Sequence, residues 1–557
     1  MAIEAIAPQW YDPPPVPDVR AQRMALTRRQ LTRYTVSLGL AAWLPHRLRS
    51  SREGGRLPLV TPTSLSDTIT RQVTEILNAS PQDDTQLLVP TYLGNDQRRY
   101  YGQGTPEDLT LHHRFYLGSG ISIVGGTSYT WSGAGWTGQP TLLRDRGRLY
   151  LVIGAYDHQL RKIDLETQEE VWTYRFDDIL KGTATIYIDE TASEENQIVI
   201  LQGSRLGVTN SLASAFVPSF RAVSFRTGQE LWRMNIRRTD SYSRDTDSSP
   251  LYLGNHTIFN PGENSIGYFI NSRVEERRPY QGFFVPEIYK ELQLYEAEDV
   301  PLYQGNLVAE SSPARWGDRL YLASGGGRIY GIDIPSQEIV WRFRAGGDLN
   351  GTISIAQDGK LFSTVDRERI PGHGGAYKLD PSKPDPDCVD WFLPTGNVRF
   401  AEWEGGITGS VALNDQYRAP NTPPLFATNA IDGHLYIGSQ TQVTGDKVPG
   451  PFQQNQYDTP MIIFKDRIGA SISTPIFTDG NRLISAGYNG VHLFQLNYDL
   501  ASPDSPQALE GGQGQFYRIS VEKIASFNRG GSFEATPVVW DGLVYICSRD
   551  GWMYCLG

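Results

Sequence analysis

The sequence predicts an all-β protein: a closed β-propeller of four-stranded blades, eight blades being the count and seven the alternative. Three observations predict it. Glycine and proline together make up about 16% of the 557 residues, and Tyr (29) far outnumbers Met (5). This suits many short strands and turns, and it lies below the roughly 25–30% of low-complexity chains. Second, one segment recurs: a small residue, a Pro or Thr, an apolar triplet, an Asp/Gly turn and a second apolar run. It is clearest from Pro140 (PTLLRDRGRLYLV), Pro313 (PARWGDRLYLA), Pro475 (PIFTDGNRLISA) and Pro537 (PVVWDGLVYIC). Third, a companion segment follows, with Asp164 to Trp172, Ser224 to Trp232 and Asp333 to Trp341 all spaced alike and Asp380 to Trp391 a stretched copy. Alternating apolar residues between Gly/Asn/Asp turns are the strand signature. Each unit therefore reads as strands a, b, c and d, the Trp lying on d.

The elements follow in order. Residues 1–60 read as an N-terminal extension with a twin-arginine-like export signal: Thr27–Arg33 is TRRQLTR and Tyr34–Pro45 a moderately apolar run. That run is too short to span a bilayer as a helix. Met24 offers an alternative start that would shorten the extension to a conventional signal. The expected location is exported, periplasmic or otherwise extracytoplasmic, and cytoplasmic if the signal does not function. Residues 61–113 read as a linker with one short helix, Ser64–Asn78. Residues 114–557 read as the propeller, with blades starting near Pro140, Ala184, Pro250, Pro313, Thr352, Ile407, Pro475 and Pro537. The excess over a bare repeat is assigned to loops Ser204–Ser219, Asn271–Asn306, Asn414–Pro424 and Tyr498–Gln515. The last unit stops at Gly557 after strand c, so Arg114–Gly118 is expected to supply its fourth strand and close the ring.

With 51 basic and 62 acidic residues the net charge is −11, which argues against a nucleic-acid binder. Three cysteines make no disulfide scaffold. Cys547 and Cys555 are expected in adjacent strands around a two-residue Asp550–Gly551 turn, their sulfurs on opposite faces, as free buried thiols. No run of bilayer-spanning length follows the signal.

These repeats resemble the pyrroloquinoline-quinone-like propeller repeat, GSFEATPVVWDGLVYICSRDGWMYCLG from Gly531 most closely. The resemblance covers about Gly135 to Gly557 and implies the propeller fold. The family contains calcium- and quinone-dependent dehydrogenases and the outer-membrane assembly lipoprotein of the BAM complex. This chain has no vicinal Cys–Cys pair, no haem CxxCH and no lipobox cysteine. Two functions follow. One is a non-catalytic binding or scaffold module in the cell envelope, a monomer that docks an envelope protein or a small molecule. The alternative is a dehydrogenase using pyrroloquinoline quinone and calcium at the channel mouth.

Loops entering strand a and loops joining strands b and c share one face of a propeller. Arg244, Asp245 and Asp247 (YSRDTDSS) enter the third blade, and Glu263 and Asn264 (GENS) lie between its strands b and c. Equivalent loops elsewhere offer Glu310, Asn350 and Glu534. Together they would make an acidic mouth with one arginine, able to hold a cationic or sugar-like ligand, or a calcium ion through Asp245, Asp247 and Glu263. Taken singly, such residues more often bond amides of their own turn. Trp172, Trp232, Trp341 and Trp391 read as blade-packing residues. Glu402 and Glu404 (EWEGG) would share one face if they lay in a strand.

Overall fold

The computed structural model of the chain describes residues 85–557; the export-like segment and the Ser64–Asn78 helix lie outside the described residues. The apolar alternation of each repeat closes into an antiparallel four-stranded sheet, and eight such sheets form the ring. Their first strands begin at Thr141, Thr185, Leu251, Ala314, Ser354, Ala412, Ile476 and Val538. The sixth starts later than the expected Ile407, because residues 407–411 lead up to the short strand Ala412–Leu413. Leu111–Tyr116 pairs antiparallel with Trp552–Leu556 and forms the outer strand of blade 8. The ring is therefore closed by the two ends of the propeller, as the truncated last repeat requires.

The core is divided among the blade interfaces. One apolar cluster joins blades 1 and 2 around Val152, Ile186 and Phe225, and another joins blades 4 and 5 around Phe343, Tyr377 and Phe392. Three strand-d tryptophans tie neighbours together: the Trp172, Trp341 and Trp391 indoles donate to the carbonyls of Phe225 (2.9 Å), Lys383 (2.8 Å) and Gln440 (3.2 Å) of the next blade. The packing role read for them holds.

Around the channel runs a second set of bonds. Gln139, Thr183, Ser249, Ser312, Thr352, Ser410, Thr474 and Thr536 immediately precede the first strands, and all are buried. The amide of one blade donates to the hydroxyl of the next from Gln139 to Thr183 (2.8 Å), Ser249 to Ser312 (2.8 Å), Ser312 to Thr352 (3.0 Å), Thr352 to Ser410 (2.9 Å) and Ser410 to Thr474 (2.9 Å). A Ser or Thr is placed here because one hydroxyl accepts from a neighbouring blade and still donates elsewhere.

The segment read as a linker differs most. Gln86–Val89 pairs with Thr141–Asp145 as a fifth, innermost strand of blade 1. The chain then crosses the channel, accepting at the carbonyls of Pro90, Asp96, Gln97 and Tyr101 from the amides of Ile186 (2.8 Å), Arg315 (2.7 Å), Ile355 (2.9 Å) and Val539 (3.0 Å). Tyr101 Oη accepts from the Leu413 amide at 2.9 Å, and Asp479 Oδ2 accepts from the Gly104 amide at 2.7 Å. At its centre Arg98, fully buried, donates to the carbonyls of Pro313 (2.8 Å), Tyr92 (2.7 Å) and Ser249 (3.1 Å) and to Thr91 Oγ1 (2.7 Å). With Ser249 the segment bonds to all eight blades. It has no repeat pattern, so pattern reading assigns it to nothing.

Other differences are local. Strand d of blade 3 (Ile288–Gln293) and a short helix (Asp299–Tyr303) lie inside the stretch read as the loop Asn271–Asn306. The outer strands of blades 6 and 7 form long hairpins, His434–Pro449 with Gln456–Arg467 and Gly490–Ala501 with Phe516–Phe527. The cysteines are free and buried, but Tyr545 faces Cys555 and Cys547 faces Met553. Both sulfurs therefore lie on one face, because the turn holds three residues, Arg549–Gly551, with Gly551 at φ 91°.

Burial pushes the Arg98 guanidinium down to about 9, yet its four acceptors hold it in place. Arg98→Met orphans those buried oxygens at about 1 kcal/mol or more each. The expected result is a loss of at least about 3 kcal/mol, read from the urea midpoint.

Candidate functional site: an acidic channel mouth

With the far side of the channel filled by residues 86–104, the loops entering strand a and those between strands b and c surround a mouth on the other face. Lys181 lies in the loop from blade 1 to blade 2. Its ammonium bonds to Asp247 and stands 3.8 Å from Glu263 Oε1 and 4.0 Å from Glu310 Oε1. Asp247 and Glu263 come from the two upper loops of blade 3, and Glu310 from the loop entering blade 4. Glu263 Oε2 also accepts from Ser243 Oγ at 2.6 Å. Burial works against the lysine's charge, but the three carboxylates, Asp247 foremost, hold it well above its ordinary range. Burial pushes the Glu263 carboxyl well up, Asp247 adding to the shift and Lys181 opposing it. Burial likewise pushes Glu310 up to about 8, Lys181 opposing and Asp247 and Asp348 reinforcing. One lysine stands among three carboxylates, and burial together with their mutual repulsion favours the protonated form of Glu263 and Glu310.

A second group lies beside it on blade 5. One carboxylate oxygen from each of Asp348, Asp366 and Glu368 falls within 4.8 Å of the others. Asn306 Nδ2 donates to Asp348 Oδ2 at 3.0 Å, and the Asn350 side chain also bonds to Asp348. Burial, then Glu368, pushes Asp348 up to about 7; Asp366 stands well above its ordinary range through burial and the charges of Asp348 and Glu368. Across the mouth, Glu534 accepts from Arg549 Nη1 and Tyr488 Oη, both at 2.8 Å.

The structure thus brings Asp247, Glu263 and Glu310 together, sets Asn350 in the second group, and pairs Glu534 elsewhere. Arg244 is committed to its own surroundings, donating to the carbonyls of Ile236 (2.6 Å), Leu212 (3.0 Å) and Ser214 (2.6 Å) and to Asn235 Oδ1 (3.1 Å). Asp245 accepts from Arg205 Nε at 2.7 Å and the Leu206 amide at 2.9 Å. Asn264 donates to the Arg237 carbonyl at 2.8 Å and Tyr268 Oη at 2.7 Å. These three hold loops. The calcium set Asp245, Asp247 and Glu263 is accordingly divided: Arg205 faces the first, and Lys181 sits among the others as an internal cation. Glu402 and Glu404 do not share a strand face. Glu402 sits in a tight turn closed by the Phe400–Trp403 bridge, whereas Glu404 follows that turn and pairs with Arg367 at 3.2 Å.

Sequence reasoning missed Lys181, Asn306, Asp348, Asp366 and Glu368. Lys181 had a signal: it stands two residues before Thr183, as Asp247, Glu310, Asn350 and Glu534 stand two before their own ring residues. The other four come from loops of unequal length, where the repeat gives no register.

Residues 221–371 match a family model described as outer membrane protein assembly factor BamB. This is a stretch of the same propeller repeat that the sequence resembles. Among solved structures, the crystal structure of BamB from Moraxella catarrhalis is similar at 12% identity with a TM-score of 0.47, covering 80% of this chain and 99% of that one. No curated protein matches the chain. The class these observations define is an eight-bladed β-propeller carrying pyrroloquinoline-quinone-like repeats.

Glu310 yields a pH test. Its folded-state value lies above that of an exposed glutamate, so the folded protein holds a proton that the unfolded chain releases. That contribution to stability is complete below about pH 4 and is lost as pH rises through about 8. Between pH 5 and 8 the wild-type melting temperature is expected to fall relative to Glu310→Gln, measured by thermal melts in matched ionic strength.

Proposed function

We propose that this chain is an exported, non-catalytic propeller of the cell envelope whose acidic mouth docks a basic protein segment. The carrying observation is the excess of carboxylates over cations at the mouth: Asp247, Glu263 and Glu310 gather around Lys181, burial raises the Glu263 and Glu310 carboxyls, and a second cation beside Lys181 would relieve both. A lysine or arginine brought by a partner supplies that cation, and electrostatic complementarity then gives specificity and association rate. Support for the envelope comes from the TRRQLTR segment and from the matched family's description as an outer membrane protein assembly factor. Among the described residues no helix is long and apolar enough to cross a membrane.

The dehydrogenase alternative asks the mouth to hold pyrroloquinoline quinone, a planar tricarboxylate. The cations here are already opposed by acids: Lys181 by Asp247, Arg205 by Asp245 and Arg549 by Glu534. Glu310 adds a further carboxylate beside Lys181, and Asp348 and Asp366 add more in the neighbouring group. The residues present do not fit a trianion.

A fluorescein-labelled hexalysine peptide tests the docking reading by anisotropy. Binding is expected to tighten as pH rises from 6 to 8.5, since the carboxyls ionise as the cation arrives, and to weaken about tenfold or more in Asp247→Asn/Glu310→Gln. Equal binding by that variant, or a melting-temperature rise with the quinone plus calcium beyond that with calcium alone but none with the peptide, contradicts it.

A further inference from the structure

We propose that Asn306, Asp348, Asp366 and Glu368 form a calcium site at the junction of blades 4 and 5, separate from the Lys181 group. Three observations converge on it. The carboxylates offer one oxygen each within 4.8 Å of one another, a span that oxygen ligands at 2.3–2.6 Å from a common ion cover. Asp348 Oδ1, Asp366 Oδ1 and Asn306 Oδ1 are buried and have no hydrogen-bond partner. Asn306 is 4% exposed and lies outside the acidic group, and its amide orientation is set because Nδ2 donates to Asp348 Oδ2. Its bare carbonyl oxygen is therefore left to face another partner.

Two of these oxygens, those of Asp348 and Asn306, meet over Gly325. A Cβ built on it would stand 2.9 Å from Asp348 Oδ1 and 3.0 Å from Asn306 Oδ1. Two bare oxygens from different loops thus approach one point over a residue with no side chain. Leaving buried oxygens unpaired costs free energy, and a cation satisfies them together. The donor set is all oxygen, which selects a hard cation, and its origin in irregular loops suits the flexible coordination of calcium over the octahedral demand of magnesium. Lys181 stands against the neighbouring group, Arg367 pairs with Glu404 at 3.2 Å, and Arg369 pairs with Glu368 Oε1 at 3.0 Å.

This inference is independent of the basic-segment reading, because it concerns different carboxylates and a bare metal ion. The test titrates the full chain, freed of metal by chelator, with calcium chloride alone, followed by calorimetry and by thermal melts. Saturable one-site binding is expected, with a rise in melting temperature that magnesium at the same concentration does not reproduce. Asp366→Asn, an isosteric change, is expected to leave the metal-free protein folded and to abolish the calcium-induced rise. Glu368→Gln, at an exposed position that folding does not depend on, is expected to weaken binding at least tenfold. An absence of saturable binding by the wild type, or unchanged affinity in Glu368→Gln, overturns the proposal. Hexalysine binding that persists when calcium binding fails leaves the docking function standing without this site.

Discussion

The structure depends on how the innermost strands satisfy their inward-facing backbone groups. Pairing the first and last segments completes the eighth blade, but the innermost strands still turn amides and carbonyls toward the channel. Buried groups of this kind must find partners. Here they find them in the chain's own residues 86–104, which accept from blades 2, 4, 5 and 8 and place Arg98 at the junction of blades 3 and 4. The hydroxyl-to-amide bonds between successive blades add a second circle. Together they fix the radius of the ring, and the tryptophan-to-carbonyl bonds fix the spacing farther out.

Filling the channel from one side gives the other side its character. The mouth then lies on the opposite side, and its polar side chains are largely buried among the loops. Loops of blades 2 to 5 then contribute acids faster than bases. Lys181 pairs with one of them, and burial raises others, Glu310 to about 8 and Asp348 to about 7. A recess built this way is poised for cations and unsuited to an anionic quinone. The same arithmetic connects the fold to both functional proposals, which differ only in which carboxylates receive the charge.

Much of this was legible in the sequence, for a physical reason: repetition. The Pro/Thr-initiated strands and the regularly spaced tryptophans report one packing solution used many times, so blade count, blade starts and ring closure through residues near Arg114 could be read. The register of the Cys547–Cys555 hairpin could not, since one extra turn residue reverses which face a side chain takes. Segments that occur once were opaque. Residues 86–104 bond to every blade, yet nothing in their pattern repeats. At the mouth, Asp247, Glu263 and Glu310 were found because their loops align with the repeat, and Lys181 escaped only because a base was not sought at an acidic position. Arg244 looked like a ligand-binding charge until its donors were traced to carbonyls of its own loops. Asp348, Asp366 and Glu368 meet through loops whose lengths differ from blade to blade, which no spacing rule anticipates.

The most direct measurement of the central claim is native-state hydrogen exchange at the amides of Ile186, Arg315, Ile355 and Val539, which donate into the channel segment. If that segment is the axle of the ring, these amides exchange only with global unfolding, at the same free energy as the strand-centre amides, and the Ser312 and Thr352 amides exchange with them. Exchange at Ile186, Arg315, Ile355 and Val539 by a cheaper, local opening, with the blades still protected, would show that the ring stands without its central segment and would contradict the account.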